Sequence, residues 1–290
     1  MTATIHPGLS GPPGPGICSG DTVLLADVGN SQIKLARLAD PAFAGSYGLP
    51  GLSHRQDLDS HHFHPENLER WLLAAAPGRA FVIVASVSEA AATRLEAVVA
   101  EISATRHRPL RQRRIGHADL PLVVSLPAPE RVGIDRLAGA AAAALVKPPA
   151  APAIVVDCGT AATVDLVAAD GRFLGGGILP GPALMFRALA EGTSKLPAIA
   201  ALGQDMPSPM PGRSTEEAIA AGVGFGIRGA VARLVAEAAA ALGPGAVTVL
   251  TGGWRAAVRD ALPGAIEVPD GPGMGIDVDD AKIETYRVLD

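Results

Sequence analysis

The chain has 290 residues, 48% of them hydrophobic, with a formal charge of −5 and two cysteines, Cys18 and Cys158. Such a length suits two domains of ordinary size, each with its own core. The acidic balance argues against a general nucleic-acid or anionic-membrane binder, and two isolated cysteines make no disulfide framework, so a cytoplasmic, reducing setting is expected.

The opening MTATIHPGLSGPPGPG lacks a basic region followed by an apolar one, so it predicts a disordered extension over residues 1–20 and not a signal peptide. Strands are predicted at 22–28, 31–38 and near 43–48, followed by a helix at 65–76 that opens on Pro65 and carries Leu68, Trp71 and Leu72 on one face. A strand at 80–87, a helix at 88–102 and short β-like pieces at 113–115 and 122–126 come next. The Ala-rich stretch 133–146 predicts a helix able to pack closely. KPPAAP, residues 147–152, cannot be helical and reads as a connection between domains 21–146 and 147–290. The second half repeats the order: strands at 153–157, 161–168 and 172–175, helices at 182–191, 215–242 and 253–262, and a buried strand at 247–250. No run approaches the length of a membrane span, because Asp157, Asp165 or Arg233 interrupts the most apolar stretches.

Two segments 130 residues apart share one pattern. LLADVGNSQIKLARL sets Asp27, Val28, Gly29, Asn30 and Ser31 before the alternating Gln32, Ile33 and Lys34, and AIVVDCGTAATVDLV sets Asp157, Gly159 and Thr160 before Thr163. Each predicts a β-hairpin with a tight turn of Gly and short polar residues. Such turns point backbone N–H groups and small donors at whatever lies in front of them, which suits phosphate oxygens. The aspartate on each entering strand cannot ligate a phosphate but can hold a cation or an ordered water that does. The duplication predicts a two-domain α/β fold of the actin-like ATPase (ribonuclease H-like) type, with one clamp in each domain.

Further segments carry chemistry. In RVGIDRLAGAAAA, Gly133 and Ile134 lead into a helix whose first turn holds Asp135 and Arg136. A carboxylate there is kept ionised by the helix dipole and suits a base, and the arginine offers a fork for a carboxylate or phosphate. An N-terminal acid beside a solvated arginine is the plain alternative. FLGGGILPGPALMFRALAEGTSKLP joins three glycines and a PGP turn to a helix ending before Thr193, and LTGGW places Thr251, Gly252 and Gly253 between a strand and a helix start.

Taken together, DVGNS, GIDR, DCGTAATVD, GGGILPG, EGTSKLP and LTGG resemble a type III pantothenate kinase over roughly residues 24–253. The resemblance implies transfer of the ATP γ-phosphoryl to pantothenate, at the first step of coenzyme A synthesis. It implies ATP at residues Asp27 to Lys34 with a contact at Thr160, pantothenate at Gly133, Ile134, Asp135 and Arg136 with Asp135 as general base, and Mg²⁺ beside the phosphates. It further implies K⁺ or NH₄⁺ at Asp157, and Thr193 reaching a site completed by the second subunit of a homodimer. Leu126 stands where the family usually has a pocket Tyr, Trp254 follows the LTGG glycines where Asp is common, and the segment 271–290 is unlike the usual family ending. An ATP-binding regulator of the same fold, or a kinase for another small alcohol, are the rival readings.

Two other features are expected to be structural. The histidines at 54, 61, 62 and 64 lack ligand spacing and a carboxylate or thiol partner, which predicts a solvated loop. The arginines at 106, 108, 111, 113 and 114 have no interleaved aromatics, which predicts a solvated or dimer-facing strand.

Overall fold

The computed structural model describes residues 17–18, 20–38, 51–199 and 210–268. Alternating apolar residues make two half-buried strands, β1 (Thr22–Val28) and β2 (Gln32–Leu38), paired antiparallel with Asp27 opposite Lys34. A third strand, β3 (Leu52–Asp59), adds antiparallel to β2, while β4 (Ala80–Ser86) runs parallel to β1 and β5 (Leu110–Arg114) parallel to β4. The sheet order is therefore β3-β2-β1-β4-β5.

Between these strands run α1 (Pro65–Ala75) and α2 (Glu89–Thr105). Pro65 presets the first turn of α1, and Leu68, Trp71, Leu72 and Ala75 recur at helical spacing to bury one face. Leu24, Leu68, Leu72 and Leu95 are essentially fully buried in this core, at about 1.5–3 kcal/mol of transfer free energy each.

After α3 (Ile134–Val146), the second half builds β6 (Ala153–Cys158), β7 (Ala161–Val167), β8 (Phe173–Pro180), β9 (Val247–Thr251) and β10 (Ile266–Glu267) in the order β10-β9-β6-β7-β8. β6–β7–β8 form an antiparallel meander and β9 and β10 add in parallel, as β1–β3 and β4–β5 do in the first sheet. Two copies of one five-stranded topology, flanked by helices, make the duplicated fold that the sequence predicts. Leu137, Ala140 and Ala143 on the inner face of α3 pack with Ala153, Val155, Val167 and Phe173 of the second sheet.

The long helix α5 (Thr215–Leu242) follows α4 (Pro182–Gly192); its N-cap Ser214 accepts the Glu217 N–H at 3.1 Å. With a mean hydropathy of 1.5, α5 is long and apolar enough to cross a membrane by length and composition alone, which corrects the expectation that no run reaches that length. In the fold, Ile219, Val223, Ile227 and Val231 cover Ile154, Val156 and Val164, so α5 serves as the core helix of the second sheet.

Other differences have local causes. The strand predicted near 43–48 lies outside the described residues, as do residues 1–16 of the predicted extension. β3 went unpredicted because LSHRQDLD is an edge strand that buries little beyond Leu58, and it places His54 in a strand rather than a loop. β8 continues through its three glycines to Pro180, and 253–262 forms two 3-10 turns, Arg255–Ala257 and Arg259–Ala261, in place of an α-helix. Of 122–126, only Val124 bridges a strand residue, Phe173.

Candidate active site

The tips of the two hairpins meet. Ser31 Oγ and Thr160 Oγ1 lie 2.9 Å apart although 129 residues separate them in sequence. In the first turn, Gly29 N–H donates to the Gln32 carbonyl at 2.9 Å, and Val87 N–H holds the Val28 carbonyl at 3.0 Å. The second turn is closed by Gly159 N–H on the Ala161 carbonyl at 3.0 Å, and Trp254 N–H holds the Cys158 carbonyl at 2.8 Å. Both turns are thus fixed by main-chain hydrogen bonds, while Asn30 and Ser31 stand exposed and Thr160 half-buried at the tips.

Four aspartates and one lysine share the field of this region. Asp27, open to solvent on one side and crowded by protein on the others, has its pKa raised by desolvation, opposed by Lys34 and reinforced by Asp135. Asp157, partly buried on β6, is raised from 3.8 to about 6, first by burial and then by the charges of Asp135, Asp27 and Asp165, with Lys34 pulling the other way. Burial, with help from Asp157, also pushes the Cys158 thiol up to about 12, which keeps it an inert core residue. Gly252, at φ +96°, lies against Asp157: a Cβ there would strike the Asp157 carboxylate and come within 2.5 Å of the Cys158 backbone. Only glycine leaves this face of Asp157 uncovered.

Asp135 stands exposed in the first turn of α3, where its Oδ1 accepts the Arg136 N–H at 2.8 Å. Only this main-chain contact engages Oδ1 among the described residues, and Oδ2 carries no hydrogen bond there. Arg136 turns inward instead of offering its fork to solvent. Its Nε lies 3.1 Å from both oxygens of Asp165, its Nη2 donates to the same carboxylate, and its guanidinium sits 5.6 Å from the Phe173 ring centre. Asp165 is 1% exposed, and its pKa is raised by burial against the opposing pull of Arg136. The sequence reading missed this partner, although an aspartate between buried Val164 and Val167 on a core strand was the available signal.

The remaining predicted residues divide by burial. Val28 and Ile33 are fully buried, and Ile134 nearly so, so they can offer only backbone atoms to a ligand. Asn30, Ser31, Gln32 and Lys34 are exposed, and Gly133 is the N-cap of α3. Thr193 caps α4, its Oγ1 donating to the Leu189 carbonyl at 2.8 Å and accepting Leu196 N–H at 3.3 Å, and it has no hydrogen bond to the aspartate cluster among the described residues. Leu126 lies against Gly175 in the cluster around α3 and Phe173. The arginine run is engaged throughout: Arg106 with Glu69, Arg108 with the Ala76 and Gly78 carbonyls, Arg111 with Asp21, Arg113 with Asp119, and Arg114 with Glu89 and Glu96.

Two phosphate-type turns facing each other, one from each copy of a duplicated sheet, with carboxylates at their base, define a phosphotransferase of the actin-like ATPase fold. Kinases of this fold use ATP and a divalent metal. A protein from Sinorhizobium meliloti assigned as a 2-dehydro-3-deoxygalactonokinase shares the fold at a TM-score of 0.50 and 16% identity, over 92% of this chain and 98% of that one. The family model for type III pantothenate kinase matches residues 23–237, and the chain belongs to that family. It is similar to the type III pantothenate kinases of Rhodopirellula baltica (41% identical, over 67% of this chain and 68% of the relative) and Polaromonas sp. (30%, over 81% and 89%). With that of Halorhodospira halophila it is 48% identical, over 43% of this chain and 47% of the relative. The reaction that goes with the family is ATP-dependent phosphorylation of pantothenate, in coenzyme A biosynthesis.

Proposed function

We propose that this chain phosphorylates pantothenate to 4'-phosphopantothenate in the cleft between the two hairpins, and that Asp135 is the general base. The observation that supports the reading is the meeting of Ser31 and Thr160 at the two hairpin tips, with Asp27 and Asp135 close enough for their charges to act on Asp157. Residues Asp27 to Lys34 and Thr160 position the nucleotide phosphates through main-chain N–H groups, the two hydroxyls and the Lys34 ammonium. Gly133, Ile134, Asp135 and Arg136 line the acceptor's place. There Oδ2 of Asp135 takes the proton of the primary hydroxyl as its oxygen attacks the γ-phosphorus and ADP departs. Catalysis of this kind rests on positioning and charge stabilisation.

The donor set fits the implied cations. Asp27 and Asp157 are hard oxygen donors, and Gly252 leaves one side of Asp157 open. Among the described residues no three His, Cys, Asp or Glu side chains group closely enough to hold a metal alone, so Mg²⁺ would share its coordination with the phosphates. When bound, Mg²⁺ and a monovalent ion, K⁺ or NH₄⁺ at Asp157, supply neutralisation of phosphate charge.

We further infer a cytoplasmic homodimer acting on a small molecule, with neither nucleic acid nor membrane as partner. An apolar groove of about 710 Å³ lies between α4 and α5, lined by Leu184, Met185, Leu189, Leu196, Ile219 and Val223. Gly222 of α5 also lines it, and beside it α5 presents Gly226 and Gly229 with open space over each, and Phe225 at 50% exposure. Such a surface suits close helix packing, and Thr193 bonds to the main chain of two residues that line the groove, Leu189 and Leu196, in keeping with a contact to the partner's substrate. The Ala-rich helix α3 uses its small residues on the second sheet of its own chain, which leaves α5 as the better surface. The chain then divides at 146/147, with α3 of the first half packed on the second sheet and so linking the halves.

Asp135→Asn tests the central assignment. It keeps size and hydrogen bonding but removes basicity, so turnover should fall by about 10²–10⁴ with nucleotide binding retained. Near-normal turnover would overturn the role.

A further inference from the structure

Ser60, just after β3, is 1% exposed and lies far in sequence from every motif of the site. Its hydroxyl donates to the Gly29 carbonyl at 2.8 Å and its N–H to the Ser31 carbonyl at 3.0 Å. Both acceptors belong to the first phosphate turn. Across a trans peptide the C=O and the following N–H point in opposite directions, so drawing the Gly29 carbonyl back toward Ser60 turns the Asn30 N–H outward, toward the cleft.

Ser60 is itself held in place. Asp59 Oδ1 accepts the N–H groups of His61 and His62 at 2.7 and 2.8 Å, which folds the chain sharply after β3. From α2, Arg94 donates to the Ser60 carbonyl and, at 3.1 Å, to the His61 carbonyl, and its guanidinium lies 5.8 Å from the Phe63 ring centre. The histidine-rich segment is thus a strap fastened to the back of the phosphate turn.

The second half repeats the device. Gly181 follows β8 as Ser60 follows β3, and its N–H donates to the Thr160 carbonyl at 3.0 Å as that of Ser60 does to Ser31. There the support is main chain alone: a Cβ on Gly181 would clash with the Gly159 carbonyl and lie 2.7 Å from that of Thr160. The first half leaves room for a side chain at the equivalent place and fills it with a hydroxyl.

We propose that Ser60, fastened by Arg94, is the positioning residue of the first phosphate turn and tunes nucleotide affinity without touching the nucleotide. The proposal rests on the reading of that turn as the ATP site. Calorimetric titration of the full chain with a non-hydrolysable ATP analogue and Mg²⁺ should show Ser60→Ala weakening binding about 3- to 10-fold, the scale of one lost hydrogen bond at a buried acceptor. KM for ATP should rise in parallel, KM for pantothenate should stay within about 1.5-fold, and Ser60→Thr should recover most of the affinity. An unchanged analogue affinity in Ser60→Ala overturns the proposal, as does equal weakening toward ATP and pantothenate with no recovery in Ser60→Thr. Should Ser60→Ala unfold at the assay temperature, Arg94→Met, which loosens the strap from outside, must show the same selective loss. Amide exchange of the wild type separates the two readings: if residues 27–34 gain no protection with the analogue, it is the nucleotide assignment that fails.

Discussion

Asp157→Asn should stabilise the fold above pH 6 and flatten its pH dependence. The folded environment raises the Asp157 pKa from 3.8 to about 6, chiefly by burial. A carboxylate whose folded pKa exceeds its unfolded one holds its proton more tightly when folded. Its stabilising contribution is complete below about pH 3.8 and is lost as the pH rises through about 6. The difference of about 2.2 pH units, at about 1.36 kcal/mol each, sets a ceiling of about 3 kcal/mol. Solvent reaching this partly buried group reduces that to on the order of 1–2 kcal/mol. Thermal unfolding from pH 4 to 8 in K⁺-free buffer should therefore show wild type losing several degrees relative to Asp157→Asn, at about 2–4 °C per kcal/mol for a chain of this size. Adding K⁺ at pH 8 should restore the wild type and leave the variant unchanged, because a ligand that binds only the folded state stabilises it. Parallel pH profiles for the two proteins would refute the reasoning.

Turnover should rise with K⁺ or NH₄⁺ and not with Na⁺, and Asp157→Ala should abolish the response; equal rates in Na⁺ and K⁺ count against a cation at Asp157. Asp165→Ala leaves the Arg136 guanidinium without its buried partner and should cost about 3–5 kcal/mol in urea unfolding, whereas a loss below 1 kcal/mol would show that the pair is not structural. Phe225→Glu on the exposed side of α5 should shift the chain toward monomer in light scattering and raise KM for pantothenate more than KM for ATP; a fully active monomer would rule out a shared site. Leu126→Tyr, if it restores one hydrogen bond to the acceptor, should lower KM for pantothenate about 2- to 13-fold with KM for ATP unmoved.

The two hairpins were legible because an Asp-x-Gly turn followed by strict alternation leaves few alternatives to a β-hairpin. The duplication then predicted the second sheet from the first. β3 was not legible, since an edge strand with charged residues on its open side carries almost no apolar period. Helix α5 was legible as a helix over 215–242, but its buried face was not: small apolar residues surround the whole helix and blur the stripe that Ile219, Val223, Ile227 and Val231 mark in the fold. The position of Asp135 in the first turn of a helix was legible, whereas the inward turn of Arg136 depends on Asp165, 29 residues away on another element. Ser60 was hidden for the same reason: its meaning comes from a carbonyl 31 residues earlier, and its neighbours had suggested only a solvated loop.

The most direct test of the central claim is identification of the product. Purified protein incubated with ATP, Mg²⁺, K⁺ and pantothenate should yield 4'-phosphopantothenate and ADP in equal amounts by mass spectrometry, and the Asp135→Asn variant should yield about 10²–10⁴-fold less in the same time. ATP consumption without a phosphorylated pantothenate, or transfer that proceeds only to a different alcohol, would contradict it.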